Sequence, residues 1–350
     1  MKNNSFLIGK RKIGPGHPTF IVAEISGNHN QSYKKALKII DSAISAGVDA
    51  IKMQTYTADT ITINSDKKWF QITEGPWKGQ NLYNLYKKAF TPWKWQKKLK
   101  EHVEKKGVIF FSSPFDETSV NFLQSLKVQV YKVASFEIVD IGLLEKIGKT
   151  KKPVIISRGM ASLDEIKLAV KTLYKNGTSQ IAILHCVSDY PADPKDMNLT
   201  TIQDLAKIFK VVAGLSDHSL GITTSIAAVA LGASIIEKHI TLNRSEGGPD
   251  AAFSLEPKEL KDLVRAIREV EQSFGKPTYI ISKNEVKNRT FRRSLFVVKN
   301  IKKGEKLTKI NIRSIRPGYG LATKYFDSVI GKVALKDVEK GTPLSWNLIK

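Results

Sequence analysis

The chain has 350 residues, 41% of them hydrophobic, with a formal net charge of +23 and a single cysteine, Cys186. That length suits one large α/β domain beside a smaller one, and the lone thiol excludes internal disulfides and cysteine-based zinc clusters, which fits a reducing compartment. No apolar run approaches membrane-span length and Met1–Gly14 is basic without an apolar signal core, so the expectation is a cytoplasmic protein with no membrane partner.

Basic surfaces bind nucleic acid by releasing phosphate counterions, and the charge raises that reading. The lysines, however, come as scattered doublets such as Lys34-Lys35, Lys87-Lys88, Lys105-Lys106 and Lys151-Lys152, and no zinc-finger, RNA-recognition or basic-zipper pattern is present. A solvated surface without a nucleic-acid partner is expected. Its positive field would still attract a small polyanionic substrate.

From Thr19 onward, apolar strand-like runs alternate with amphipathic helical ones. The strands fall at Thr19–Glu24, Ala50–Gln54, Val108–Ser113, Val130–Ala134, Pro153–Ser157, Gln180–Cys186, Val211–Leu215 and Ser234–Ile240. Helix signals lie between them: Ala36, Ile40, Ala43 and Gly47 share a face, Thr91-Pro92 reads as an N-cap followed by proline, Ser162 and Glu165 as a capping box, and Glu256-Pro257 opens another helix. Eight such units predict an α/β fold, a (β/α)₈ TIM barrel over residues 1–274 with a short N-terminal β extension, whose site lies where the strands end. Polar residues gather at those ends: Glu24, Lys52, Gln54, Ser112, Ser113, Lys132, Ser135, Ser157, Ser188, Tyr190, Ser216, His218, Glu237 and His239. The strand starts are plain, with Phe20, Val108, Val154, Ile181 and Ile235.

Within Val212–Leu242, two short strands each end in a histidine, and a small-residue helix at Gly221–Leu231 joins them. Alternation puts Glu237 and His239 on one strand face, and a parallel barrel brings His218 and His239 to one rim. Two imidazoles with carboxylates nearby suit a divalent ion; the plainer alternative is a polar cap at each strand end. The connection Thr55–Phe90 is long for a βα loop and carries Trp69, Phe70, Trp77, Tyr83 and Tyr86. It could stack bases, wall a sugar site or form a satellite core. Residues 275–288 read as a polar linker, and residues 289–350, with short β-type runs broken by Gly304, Gly318, Gly320, Gly331 and Gly341, as a small β-rich domain.

Lysines and hydroxyls at several strand ends suit a phosphate and a carboxylate held together. A metal beside them would act as a Lewis acid on a carbonyl, and Glu24 could position or deprotonate a water. Two other readings stay open: a Schiff-base aldolase on Lys132 or Lys52, and a basic barrel binding nucleic acid through Trp69, Trp77, Trp93 and Trp95.

The runs AEISGNHN (Ala23–Asn30), IKMQTYTADT (Ile51–Thr60), FSSPFD (Phe111–Asp116), YKVASFE (Tyr131–Glu137), GLSDHS (Gly214–Ser219), IEKH (Ile236–His239) and RPGYGL (Arg316–Leu321) resemble the sialic acid synthase family nearly end to end. NSDKKWF (Asn64–Phe70), Pro76-Trp77, LYNLYKKAFTPW (Leu82–Trp93) and FSLEPKE (Phe253–Glu259) look like its pseudaminic acid branch. The resemblance implies a transferase that condenses phosphoenolpyruvate with an amino-sugar aldehyde, releasing phosphate by C–O cleavage. In the pseudaminic branch that sugar is 2,4-diacetamido-2,4,6-trideoxy-L-altrose; N-acetylmannosamine and the legionaminic precursor are the alternatives. It implies Mn²⁺, with Mg²⁺ or Co²⁺ as substitutes, on His218 and His239. Lys52, Ser113 and Lys132 would hold the phosphoenolpyruvate carboxylate, and Lys132, Ser135, Ser157 and Ser216 its phosphate, with Ser188 beside them. Glu24 would orient the attacking water, while Gln54, Tyr190, Glu237 and Asp250 line the sugar side. The C-terminal region resembles an antifreeze-like (SAF) domain, which implies a swapped homodimer and an arginine, Arg316, offered to the sugar's acetamido group. Ser188 stands where an asparagine is frequent and Arg158 where a threonine is usual. A 6-deoxy sugar favours apolar walls, which the segment Trp69–Tyr86 could supply.

Overall fold

The computed structural model describes residues 5–350, so the first four residues of the basic stretch Met1–Gly14 lie outside the described residues. The chain divides between Gly275 and Lys276 into two compact units. The first begins with a two-stranded antiparallel hairpin, β1 (Phe6–Ile8) and β2 (Arg11–Ile13), that turns at Gly9. Eight parallel strands follow: β3 (Phe20–Glu24), β4 (Ala50–Thr55), β5 (Ile109–Pro114), β6 (Tyr131–Val133), β7 (Val154–Ser157), β8 (Ile181–Cys186), β9 (Val212–Asp217) and β10 (Ile235–His239). They close into a barrel in chain order, with β10 returning to β3.

Side-chain alternation sorts every strand into two layers. One set, including Ile21, Ile51, Phe110, Val133, Ile156, Ile183, Leu215 and Ile236, packs against the helices. The other set, Phe20, Val22, Ala50, Phe111, Val130, Ile155, Ala182, Leu184, Val212 and Ile235, fills the barrel and continues into Phe6, Ile8 and Ile13 of the hairpin. The N-terminal end is thereby plugged. Gly214 sits in this inner set, and a Cβ there would lie 2.3 Å from the Ile235 carbonyl oxygen, so only glycine lets β9 and β10 approach this closely. Two steps further along the inner phase stand Glu24, Lys52, Ser113, Lys132, Ser157, Cys186, Ser216 and Glu237. The polar rim is the continuation of the apolar core.

Ser162 and Glu165 do close a capping box on the helix Leu163–Lys175, and Glu256 caps Pro257–Ser273 with Glu259. Thr91 is not the cap expected. The helix starts at Trp93 with Pro92 in the cap position, and the Thr91 hydroxyl instead meets the buried His29 Nε2 at 3.1 Å. Thr55–Phe90 is structured, holding the helices Ala58–Ile61 and Leu82–Ala89. Of the four tryptophans offered to nucleic acid, Trp69 alone is exposed, at 74%. Trp93 stacks on Phe122 at 4.7 Å, Trp95 abuts His29 and Tyr33, and the Trp77 indole donates to the Pro249 carbonyl at 2.7 Å. No base-stacking row exists among them.

The second unit pairs β11 (Ser294–Val297) with β12 (Ile312–Ile315) antiparallel around its own core of Leu295, Val297, Ile301, Leu307, Ile312, Val329 and Leu344. Its start carries the short helices Lys283–Val286 and Lys287–Phe291, within and just beyond the stretch read as a polar linker. Among the described residues, no helix is long and apolar enough to cross a membrane.

Candidate active site

At the C-terminal end of the barrel lies a cavity of about 480 Å³. Its floor is polar: Lys52, Gln54, Lys132, Ser135, Ser157, Ser216, His218, Glu237, His239 and Asp250 all line it. Its outer wall is apolar, with Ile61, Ile72, Trp77, Leu82, Leu85 and Tyr86 from the Thr55–Phe90 segment. The strands deliver the floor because register places inner-phase residues side by side, Glu24 opposite Lys52 and His239, Gln54 opposite Ser113, and Glu237 opposite Ser216.

Glu24, Ser113 and Ser188 do not line the cavity; each stands one contact behind it. Glu24, fully buried, pairs with the Lys52 ammonium at 2.6 Å, and Lys52 also reaches Glu237 at 3.4 Å and the Ser113 hydroxyl at 3.4 Å. Ser188 donates to the Ser135 hydroxyl at 2.9 Å. Lys132 donates to the Ser157 hydroxyl at 2.6 Å and to the Val133 carbonyl at 3.0 Å, and Ser216 donates to Glu237 at 3.1 Å. Burying so many charges is tolerable only because each has a partner. Burial lowers the pKa of Lys132, whereas for Lys52 burial is outweighed by Glu237 and Glu24, which hold it firmly protonated. Glu237 is likewise held ionised, Lys132 and Lys52 overcoming its burial.

The two rim histidines face each other with ring centroids 5.4 Å apart. Phe253 packs edge-on against both, and Tyr190 lies 4.5 Å from the His218 ring. His218 Nδ1 donates to the Val187 carbonyl at 2.9 Å, and against burial the neighbouring Cys186 and that bond raise the pKa of this imidazole. His239 Nδ1 is buried without a hydrogen-bond partner, and burial together with His218 and Lys52 keeps that imidazole neutral. A metal takes the neutral imidazole, so His239 is already in the ligating form while a cation at His218 would compete with its proton. Asp250 approaches His239 Nδ1 no nearer than 3.9 Å. Among the described residues, no group of three or more His, Cys, Asp or Glu side chains is placed to surround an ion, so the fit is to an imidazole pair alone. Arg316 belongs to the second unit, exposed just beyond β12.

The NeuB family model matches residues 39–279, and a SAF domain model matches residues 292–350. This chain belongs to the NeuB family. The NeuB-family chain is 42% identical to the pseudaminic acid synthase of Campylobacter jejuni subsp. jejuni over 93% of its length and 95% of that protein's. It is 43% identical to the pseudaminic acid synthase of Helicobacter pylori over 94% and 97%. Among solved structures, the N-acetylneuraminic acid synthetase of Leptospira borgpetersenii superposes with a TM-score of 0.73 at 37% identity, covering 82% of this chain and 95% of that one. The barrel, the SAF unit and the family expected from the motifs all stand.

Glu137 and Tyr56 line this NeuB-family site and Phe253 packs on its histidines, and no sequence pattern gave any of the three a role. Glu137 lines the cavity from a short turn beyond β6, with one carboxylate oxygen buried and unpartnered. Its signals were its place two residues after Ser135 and at the end of the run YKVASFE. Burial pushes Glu137 up to about 7, and burial, opposed by Lys52 and helped by Glu237, does the same to Glu24. Burial has the opposite consequence for His29 and His185, each lowered to about 4.

These groups pull stability in opposite directions with pH. From pH 6.5 down to 4.5, between the ordinary imidazole and carboxyl values, a raised carboxyl binds its proton first in the native state and gains stability. A lowered imidazole is protonated first in the unfolded chain, and its contribution is lost as pH falls toward 4. Each group is worth about 1.4 kcal/mol per pH unit. Glu137→Gln removes one carboxyl contribution, so denaturant titrations of the metal-free protein should show stability falling about 1.4 kcal/mol per unit more steeply on acidification than in the parent. An unchanged slope would mean that Glu137 is ordinarily acidic.

Proposed function

We propose that this chain condenses phosphoenolpyruvate with 2,4-diacetamido-2,4,6-trideoxy-L-altrose and water to give pseudaminic acid and phosphate. The observation that carries the reading is the convergence at one rim of two buried lysines and their hydroxyls with the facing imidazole pair, in a chain this similar to pseudaminic acid synthases.

Lys132, Ser135, Ser157 and Ser216 would hold the phosphate, and Lys52, Ser113 and Lys132 the carboxylate. Ser157 accepts from Lys132 and keeps its own hydrogen for the phosphate, whereas Ser216 must turn from Glu237 to donate. Lys52 is already neutralised by Glu24 and Glu237, so the incoming carboxylate competes with Glu24 for it and frees that side chain toward the cavity. The methylene carbon of phosphoenolpyruvate forms a bond to the aldehyde carbon, whose oxygen takes a proton. Water adds to the oxocarbenium-like carbon as it gives a proton to Glu24; the C–O bond then breaks, phosphate leaves with the bonding electrons, and loss of the remaining hydroxyl proton makes the carbon a ketone. A divalent ion, Mn²⁺ in this reading and Mg²⁺ or Co²⁺ as substitutes, would be held by His218 and His239 and would polarise the aldehyde. Gln54, Tyr190, Glu237, Asp250 and Glu137 face the sugar side, and the apolar wall from Ile61 to Tyr86 suits its methyl groups. The same reading includes a cytoplasmic enzyme and a swapped homodimer, with Arg316 of one protomer offered to the sugar bound in its partner.

Phosphate release from phosphoenolpyruvate tests this, measured with Mn²⁺ or EDTA against the trideoxy altrose sugar, its legionaminic counterpart and N-acetylmannosamine. Metal-dependent release with the first sugar alone is expected. Release with another sugar moves the substrate within the family. EDTA-resistant turnover with borohydride trapping would replace the mechanism by a Schiff base on Lys132.

A further inference from the structure

The ladder between β9 and β10 runs Leu215–Ile236, Ser216–Glu237 and Asp217–Lys238 and goes no further. His218 and His239 come next in each strand. No backbone rung ties these two residues across that seam, yet their rings must keep a fixed separation to share a ligand. The final rung supplies the tie through its side chains. Asp217 and Lys238 have the outward phase, away from the cavity, and form an ion pair at 3.0 Å with neither side chain exposed.

The pair also wraps the backbone around His218. The Asp217 carboxylate accepts from the Ser219 amide at 2.8 Å and the Ser219 hydroxyl at 2.7 Å, while Lys238 donates to the Ser219 carbonyl. Residues on both sides of His218 are thus fastened to the residue preceding His239. The Ser225 hydroxyl, at 2.6 Å from the other Asp217 oxygen, anchors the arrangement to the helix Thr223–Ala230. A fully buried ion pair is a poor way to gain stability, because desolvation consumes most of the attraction and apolar residues of similar volume serve as well. What it does supply is direction, held through the backbone one step behind the groups that hydrogen-bond a ligating imidazole, whose own loss changes metal affinity about 10- to 100-fold.

We propose that Asp217 and Lys238 are positioning residues, a clamp that sets the spacing and aim of His218 and His239 and thereby the affinity of that pair for a divalent cation. The proposal rests on the reading that the two imidazoles hold such a cation. The test is calorimetric titration of the full-length protein with MnCl₂ alone, alongside thermal melting, for the parent, Lys238→Met and the double variant Asp217→Asn with Lys238→Met. The double variant leaves no unpaired buried charge and is expected to fold with a melting temperature near the parent's. Both variants should bind Mn²⁺ more weakly, by about 10-fold, the lower end of the loss seen when a group bonded to the imidazole itself is altered. A purely electrostatic role predicts the reverse for Lys238→Met, since removing a positive charge beside the site would tighten cation binding; that result overturns the clamp. So does a double variant that melts earlier yet binds Mn²⁺ as the parent does, which would make the pair merely structural. If Lys238→Met does not fold, the double variant decides alone. Failure of the parent itself to bind Mn²⁺ would remove the cation reading and the clamp with it, and is distinguishable because it appears before any substitution.

Discussion

Glu24→Gln is expected to lower kcat by about 10²–10⁴ while the KM for phosphoenolpyruvate stays level or falls. Glu24 lies behind Lys52, not on the cavity surface, and its ion pair at 2.6 Å occupies the ammonium proposed to hold the substrate carboxylate. A neutral amide keeps the volume and can still accept the Ser26 amide hydrogen that Glu24 accepts at 3.0 Å. It gives up the competition for Lys52 and the capacity to take a proton from water. Binding should therefore survive while chemistry does not. Because burial brings Glu24 to about 7, kcat/KM, which reports the free enzyme, should climb with pH through neutrality as the carboxyl ionises. The variant should lose that limb. A variant with full kcat, or with its loss confined to KM, would make Glu24 a structural counter-ion of Lys52.

His239→Gln is expected to cost about 10³ in turnover or more, the equivalent of about 4 kcal/mol of transition-state stabilisation, and to abolish the response to Mn²⁺. Glutamine is the replacement of choice because the imidazole also packs on Phe253, at 5.0 Å between centroids, and truncation to alanine would empty that space. Phosphoenolpyruvate binding, measured by quenching of tryptophan fluorescence without metal, should persist because the two lysines are untouched. His218→Gln should behave alike, with a further loss of its tie to the Val187 carbonyl. Turnover that is unaffected in either variant, or lost only together with phosphoenolpyruvate binding, would argue against the imidazole pair as a cation site.

Much of this site can be read along the chain because a barrel strand alternates its faces. The inner phase runs Phe20, Val22, Glu24 in one strand and Ile235, Glu237, His239 in another, so the same rule that buries the core names the rim. Glu137 escaped that rule, since it follows the strand on a turn where period two no longer applies. Trp69 misled in the other direction: it belongs to an aromatic-rich segment, but only some of its neighbours, among them Trp77 and Tyr86, turn toward the cavity.

The sequence by itself determined the eight strand–helix units, the parity that places lysines, hydroxyls and histidines at one end, and the motifs that carry the family. These are local properties: propensity, alternation and short runs of residues read within a dozen positions. Only the tertiary structure decided the pairings across strands. Glu24 meets Lys52 from the neighbouring strand, Ser188 backs Ser135, Asp217 locks to Lys238, and Thr91 caps no helix because His29 takes its hydroxyl. Such contacts depend on register and barrel closure, which bring together residues tens of positions apart, and no local pattern specifies which of two buried charges will find the other.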